Sequence, residues 1–272
     1  MRLGAAFIAF SGLELLKPAI LSIRPFVDFV TIIYSEVSHL GFPAAPYLKS
    51  LLKDLSRQGL VDALHSYEAN PPATSPQEVV EHMRRKRELA RRVCQSAGCT
   101  HIMVRDCDEF YSPKLMRLAL WIANRYDITF SYVVDYTASP LYQSRHLRTH
   151  DRSPFIQRVE FPFCPFNFGV RVDPARTVTG TQSCFFFPAW LLLMHHMTRV
   201  RLNDEELQRK YENHSWYPRT HDILRLTAET RQPDLRKYRI LANDRFGILD
   251  YWNSEFRTYA TTGLDEGPIL RG

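Results

Sequence analysis

Four apolar runs fill the first part of the chain: Leu3 to Phe10, Phe26 to Tyr34, Leu60 to Tyr67 and Thr100 to Val104. Each is separated from the next by a stretch with helical spacing, and this alternation constrains the fold more than any other feature. The runs are continuous, as expected for strands covered on both faces. Ser11-Gly12 breaks the first, and Leu13, Leu16, Ile20 and Ile23 then share one helix face, with Pro18 early in it. A loop at Gly41 to Pro46 leads to an amphipathic helix at Tyr47 to Gln58, stopped by Gly59. The proline-rich loop Asn70 to Ser75 precedes a long helix, Pro76 to Ser96, that delivers the chain to its fourth strand. Three strand-helix units feeding a fourth strand predict a parallel, right-handed, doubly wound α/β sheet.

The fourth strand runs into Asp106-Cys107-Asp108-Glu109, and Ser112-Pro113 then reads as the cap and first turn of a helix. Three carboxylates at the end of a buried strand repel one another and lose hydration. A divalent cation with hard oxygen ligands, Mg²⁺ or Mn²⁺, removes both difficulties. The plainer alternative is an acidic loop with Asp108 or Glu109 in water. Position favours the cation or a phosphate, because open α/β sheets bind ligands beyond the carboxyl ends of their strands.

Composition narrows the classes. A chain of 272 residues, 45% hydrophobic and 24% charged, is an ordinary globular protein. Its net charge of +6 suits acidic partners: a nucleotide sugar, nucleic acid or an anionic membrane face. The five cysteines include no C-x-x-C pair, which argues against a zinc site or a disulfide framework and predicts a reducing, cytoplasmic setting. No apolar stretch is long enough for a transmembrane helix. Neither a G-x-G-x-x-G after a strand nor a G-x-x-x-x-G-K-[ST] loop occurs, which disfavours dinucleotide and P-loop binding.

Past Pro113 a helix to Tyr126 and a strand at Ile128 to Tyr136 continue the pattern. Thr137 to Thr181 then changes character, being rich in Pro, Phe, Tyr and Arg, and predicts irregular loops with short antiparallel strands. Phe185 to Val200 reads as a helix, continuing through Glu205 to Tyr211. Residues 1–137 and 138–272 are accordingly expected as two halves of one compact domain.

These residues carry a resemblance. FIAFSGLELLKPAILSIRPFVDFVTIIYS resembles the first strand, helix and second strand of family-2-like glycosyltransferases with the GT-A fold. RRKRELARRVCQSAGCTHIMVRDCDEFY resembles their segment of basic residues before a strand that ends in D-x-D, and HHMTRVRLNDEELQRKYENHSW their closing region. The resemblance implies a GT-A-type sheet with an irregular α+β acceptor half. It further implies transfer of a hexose from a nucleotide sugar, UDP-linked, with Asp106 and Asp108 in the D-x-D positions. Many relatives carry an aspartate after the second strand, where this chain has Tyr34-Ser35-Glu36.

Glycosyl transfer must neutralise a departing nucleoside diphosphate. Asp108 is the candidate metal anchor, and Asp106 either shares the metal or binds the ribose. Phe10, Ser11, Gly12 and Ser35, at the ends of the first two strands, are candidates for the donor, with Lys86 and Arg87 for its diphosphate. Lys86 and Arg87 read equally well as cations on a solvated helix face. His196 is the candidate metal ligand of the His195-His196 pair, on the premise of a helix that sets it in register with Arg199. A base for the acceptor hydroxyl is sought in Asp135 or Glu160. Inversion is the expected course, whereas a retaining enzyme would need no base there. The acceptor is a glycan, a lipid-linked sugar, a protein, or a modified base in nucleic acid. Alternatives are a metal-dependent nucleotidyltransferase or phosphohydrolase, and a nucleic-acid-binding module on a transferase fold.

Overall fold

The computed structural model describes residues 1–148, 151–165, 168–169, 171–212, 230–231 and 235–256. The chain begins as expected: β1 (Leu3–Ala9), α1 (Leu16–Ile23), β2 (Phe29–Tyr34), α2 (Leu48–Arg57), β3 (Ala63–Ser66), α3 (Pro76–Ser96) and β4 (His101–Asp106). β1 lies between β2 and β4, and β3 flanks β2, all parallel. Leu48, Leu51, Leu52 and Leu55 line one buried face of α2. They join Ala5, Phe7, Val30 and Ile32 in the main core. Ala6, Ile33 and Ile102 point to the other face and pack with Ala90 and Cys94 of α3. Helices thus cover both faces, which is why the strand runs are continuous rather than alternating. The strand order reverses between β1 and β4, so the crevice at their carboxyl ends is the switch point of the sheet.

Beyond Asp106 come β5 (Glu109–Tyr111), α4 (Met116–Ala123), β6 (Ile128–Thr137), β7 (Ser139–Ser144) and β8 (Asp151–Arg158). β8 enters the sheet between β4 and β6, antiparallel to both, so a segment expected to hold irregular loops and short antiparallel strands supplies a central strand of eight residues. Pro154 and the flanking polar residues disguise it. A proline is tolerated there because β8 pairs with β4 only through Gln157 and Arg158, and its pairing with β6 shifts register near Phe130. Running antiparallel, β8 carries its end to the amino edge of the sheet, beside His101.

The second half continues through β9 (Arg171–Val172), a 3₁₀ turn at Pro174–Arg176, β10 (Cys184–Phe186), β11 (Leu193–Arg199), α5 (Asp204–Glu212) and β12 (Tyr238–Ile240). The helix expected over Phe185 to Val200 does not form. Its residues make β10, a turn and β11, because both strands pair with β6, and β11 also with β5. A continuous apolar run carries no period of its own, and the open partners in the sheet decide the outcome. The last four residues of HHMTRVRLNDEELQRKYENHSW lie outside the described residues. β8, β10 and β11 all join strands from before residue 138, so the two halves share one sheet. Among the described residues no helix is long and apolar enough to cross a membrane.

Candidate active site

Strand pairing assembles the site. The turn Cys107-Asp108 links β4 to β5 at the carboxyl edge, and β5 lies antiparallel to β11 with His196 opposite Glu109. On its other side β11 runs parallel to β6, with His196 opposite Asp135. The Met197 N–H donates to the Asp108 carbonyl at 2.7 Å and fixes the turn against β11. On a strand, successive side chains face opposite ways. His195 therefore turns inward, with Nδ1 2.8 Å from the Tyr136 hydroxyl, and burial pushes its pKa down to about 3. His196 turns toward the acids. It reaches the site through sheet pairing, not through the helical register with Arg199.

The carboxylates are compensated from within the chain. The Arg176 guanidinium forks onto Glu109, at 2.9 Å to Oε2 and 2.5 Å to Oε1, and onto Asp106 Oδ2 at 2.6 Å. Arg87, buried on α3, stands 3.5 Å from Asp106 and 3.6 Å from Asp173. Asp108 Oδ2 accepts from Arg201 at 2.8 Å and from Lys210 of α5 at 3.2 Å. Burial alone would raise both aspartates. Arg176 and Arg87 outweigh it at Asp106, and Lys210, His196 and Arg201 hold Asp108 well below the usual range. Side-chain cations thus supply neutralisation that the sequence had assigned to a metal ion.

A divalent ion fits only part of this arrangement. Asp106 and Glu109 are engaged by Arg176 and do not fit as ligands. Asp108 Oδ1 and His196 Nε2 face each other at 3.7 Å, beyond hydrogen-bond range. A small divalent ion reaches each ligand at about 2.1 Å, so two atoms at this separation can share one. His196 Nδ1 is 3.1 Å from Asp135 Oδ1, and donation there leaves a lone pair on Nε2, the arrangement of a metal-binding imidazole. Among the described residues no group of three or more His, Cys, Asp or Glu forms a complete cage. The protein would furnish two ligands, leaving the remaining positions to water and substrate oxygens.

The other expected site residues divide. Asp135 is gripped by Arg148, with both hydrogen bonds at 2.6 Å. Burial opposes its ionisation, but the hydrogen bond from His196 and the Arg148 contact bring it down to about 2. A carboxylate so hard to protonate is a poor general base. Glu160 is a correction: two residues past the end of β8, it lies at the amino edge, where the neighbouring Val159 N–H meets the Thr100 carbonyl, and its side chain is 61% exposed. The antiparallel course of β8 carries it to the edge opposite Asp106. Phe10 and Ser11 are half-buried beyond β1, and Gly12 holds a left-handed φ of 73° that opens the turn Leu13–Leu15. Ser35 is buried, its hydroxyl donating to the Tyr67 carbonyl at 2.8 Å. Lys86 and Arg87 are buried rather than solvated. Burial pushes Lys86 down to about 8, with Arg87 acting in the same direction, and its Nζ sits 5.4 Å over the Tyr67 ring.

Arg148, Arg176, Arg201, Lys210 and Glu14 escaped the sequence reading, since nothing local marks a cation as a partner of a distant carboxylate. Glu14 is fully buried behind Asp108, 3.6 Å from Arg201, and among the described residues neither of its carboxylate oxygens has a hydrogen bond. Desolvation raises it from 4.5 to about 7 despite Arg201, helped by Glu206. A carboxyl raised on folding contributes stability that is full below its unfolded value and lost as pH rises through the folded one. Glu14→Gln is therefore expected to gain up to about 3 kcal/mol over wild type above about pH 7 and nothing near about pH 4. Urea unfolding of both proteins across this window checks it; equal pH slopes would contradict it.

No family model and no curated protein matches the sequence. Among solved structures the chain is similar to S. aureus TarS, with 11% identity over 99% of this chain and 46% of that one, at a TM-score of 0.46. It is similar to TarS 1–349 in complex with UDP-GlcNAc, with 10% identity over 97% of this chain and 75% of that one, at 0.43. It is also similar to GalNAc-T7 with UDP, GalNAc and Mn²⁺, with 10% identity over 96% of this chain and 58% of that one, at 0.46. These neighbours are glycosyltransferases. The chain spans about half the length of full TarS, and likenesses this distant do not extend to activity.

Proposed function

We propose that the chain is a metal-dependent glycosyltransferase that moves a sugar from a nucleoside-diphosphate sugar, UDP-linked, to an acceptor hydroxyl. The observation that carries this reading is His196 Nε2 facing Asp108 Oδ1 at the carboxyl end of β4, beside the switch point of the sheet. Bound between them, a divalent ion would neutralise charge on the departing diphosphate. Arg201 and Lys210 hold the Asp108 carboxylate ionised and oriented, and Asp135 with Arg148 holds His196. Asp135 is in this reading a positioning residue rather than the base. Lys86, largely protonated at neutral pH, and Arg87 lend positive potential to the donor side. The acceptor belongs on the side of Thr137 to Thr181, from which β8 and the turn Pro174–Arg176 reach the acidic turn.

The test is a thermal-shift panel of nucleotide sugars and nucleoside triphosphates, each with and without Mn²⁺. A nucleotide sugar at about 100 times its Kd is expected to add about 2.7 kcal/mol, roughly 5 °C, and only with the metal. Shifts with triphosphates and none with nucleotide sugars would favour nucleotidyl transfer instead.

A further inference from the structure

We infer that Cys94 and Cys99 form a dithiol pair that closes into an intramolecular disulfide when the protein meets a small oxidised disulfide such as oxidised glutathione. The pair lies at the amino edge of the sheet, remote from the acidic turn, and the inference does not rest on the sugar-transfer reading.

Backbone geometry brings the thiols together. Helix α3, which ends at Ser96, is closed two residues later by Gly98, whose φ of 79° is the left-handed conformation that closes helices. The Gly98 N–H donates to Gln95 O at 2.9 Å and the Cys99 N–H to Cys94 O at 3.0 Å. This double bond pattern folds the residue after the glycine back over the last turn, where an apolar contact usually forms. Here that contact is thiol on thiol. Gly4 of β1 supplies the floor. A methyl group placed on it would lie 2.7 Å from Cys94 Sγ and 3.1 Å from Cys99 Sγ, so both sulfurs converge on one point. A disulfide requires closely approaching backbones, and the Cys99 N–H bond to Cys94 O draws these two together.

The two thiols differ in environment. Both are buried, Cys94 completely and Cys99 at 4% exposure, but Cys99 lies just beneath the surface, between the exposed Gly98 and Thr100. The adjacent Cys94 thiol and the nearby Arg2 lower the Cys99 thiol, although partial burial opposes them. Cys99 is thus the attacking sulfur. Its thiolate displaces one glutathione from the disulfide reagent, forming a mixed disulfide, and the departing thiolate takes up the Cys99 proton. Cys94 then attacks Cys99 Sγ and displaces the second glutathione, which takes the Cys94 proton. Two protein thiols are oxidised as one disulfide is reduced, and the new bond ties the end of α3 to the start of β4.

The full chain is incubated with oxidised glutathione, its remaining thiols are alkylated, and trypsin is added. Cleavage after Arg92 and Arg105 releases Val93 to Arg105, which holds both cysteines. The expected peptide carries no alkyl group and is two hydrogens lighter than its reduced form, and the intact chain loses two of its five free thiols. In Cys94→Ser the same peptide is expected to retain one glutathione on Cys99. A wild-type peptide with both cysteines alkylated, or with glutathione retained on Cys99, would overturn the inference.

Discussion

Asp108→Asn is expected to abolish most transfer and to weaken the fold, the second of these against what the acidic run suggests by itself. Three crowded carboxylates would be relieved by losing a charge. In the structure they are not crowded acids but halves of ion pairs, and Asp108 is the partner of Arg201 and Lys210. Arg201 is completely buried, and its other carboxylate neighbour, Glu14, is itself raised toward neutrality by desolvation. The amide leaves that guanidinium without its charged partner, a loss of about 3–5 kcal/mol when a buried pair is broken. On the proposed transfer reaction activity falls separately, by roughly 10²–10³-fold, because the proposed anchor for leaving-group neutralisation is gone. The measurement is turnover across a Mn²⁺ titration, at a temperature where unfolding curves show the variant still native. Recovery at high Mn²⁺ would mark weakened metal affinity as the main defect. A native variant with unchanged turnover would sink the assignment of Asp108.

Arg176→Met is expected to cost as much stability by a different route. This side chain crosses from the turn Pro174–Arg176 to hold Asp106, Glu109 and Asp173 together. Without it Asp106 keeps Arg87 at 3.5 Å, but among the described residues Glu109 keeps only the Asp106 N–H at 3.3 Å as a hydrogen-bond donor. A buried carboxylate stripped of its cation also loses the charge contribution of the pair. The sign follows from Asp106, which Arg176 holds below the ordinary value of 3.8: that lowering adds stability above 3.8 that is lost as pH falls through the folded value. The deficit of the variant against wild type, about 3–5 kcal/mol near neutrality, should therefore shrink as pH falls below that ordinary value. Denaturant unfolding at several pH values separates the cases. A deficit that does not change with pH would mean that Arg176 contributes packing rather than charge.

The strand-helix alternation of residues 3–106 was legible because each element there carries its own signal: continuous apolar runs, Ser75 and Pro76 opening α3, and glycines closing helices. The acidic turn was legible too, since the carboxyl end of a parallel strand is where such a sheet meets ligands. What lay beyond local signals was decided by pairing. Short antiparallel strands were expected somewhere in Thr137 to Thr181, but Pro154 and its polar neighbours hide β8, and its place in the sheet is set by the gap that β4 and β6 leave. β11 looked like a helix because an apolar run between two sheet partners has no period. From those two strands follow the displacement of Glu160 to the far edge and the meeting of His196 with Asp108 and Asp135. The pairing of Arg176, Arg201 and Lys210 with acids some 70 to 100 positions away is likewise tertiary. A cation's partner is set by which side chains burial brings within reach, and residue order along the chain does not encode that distance.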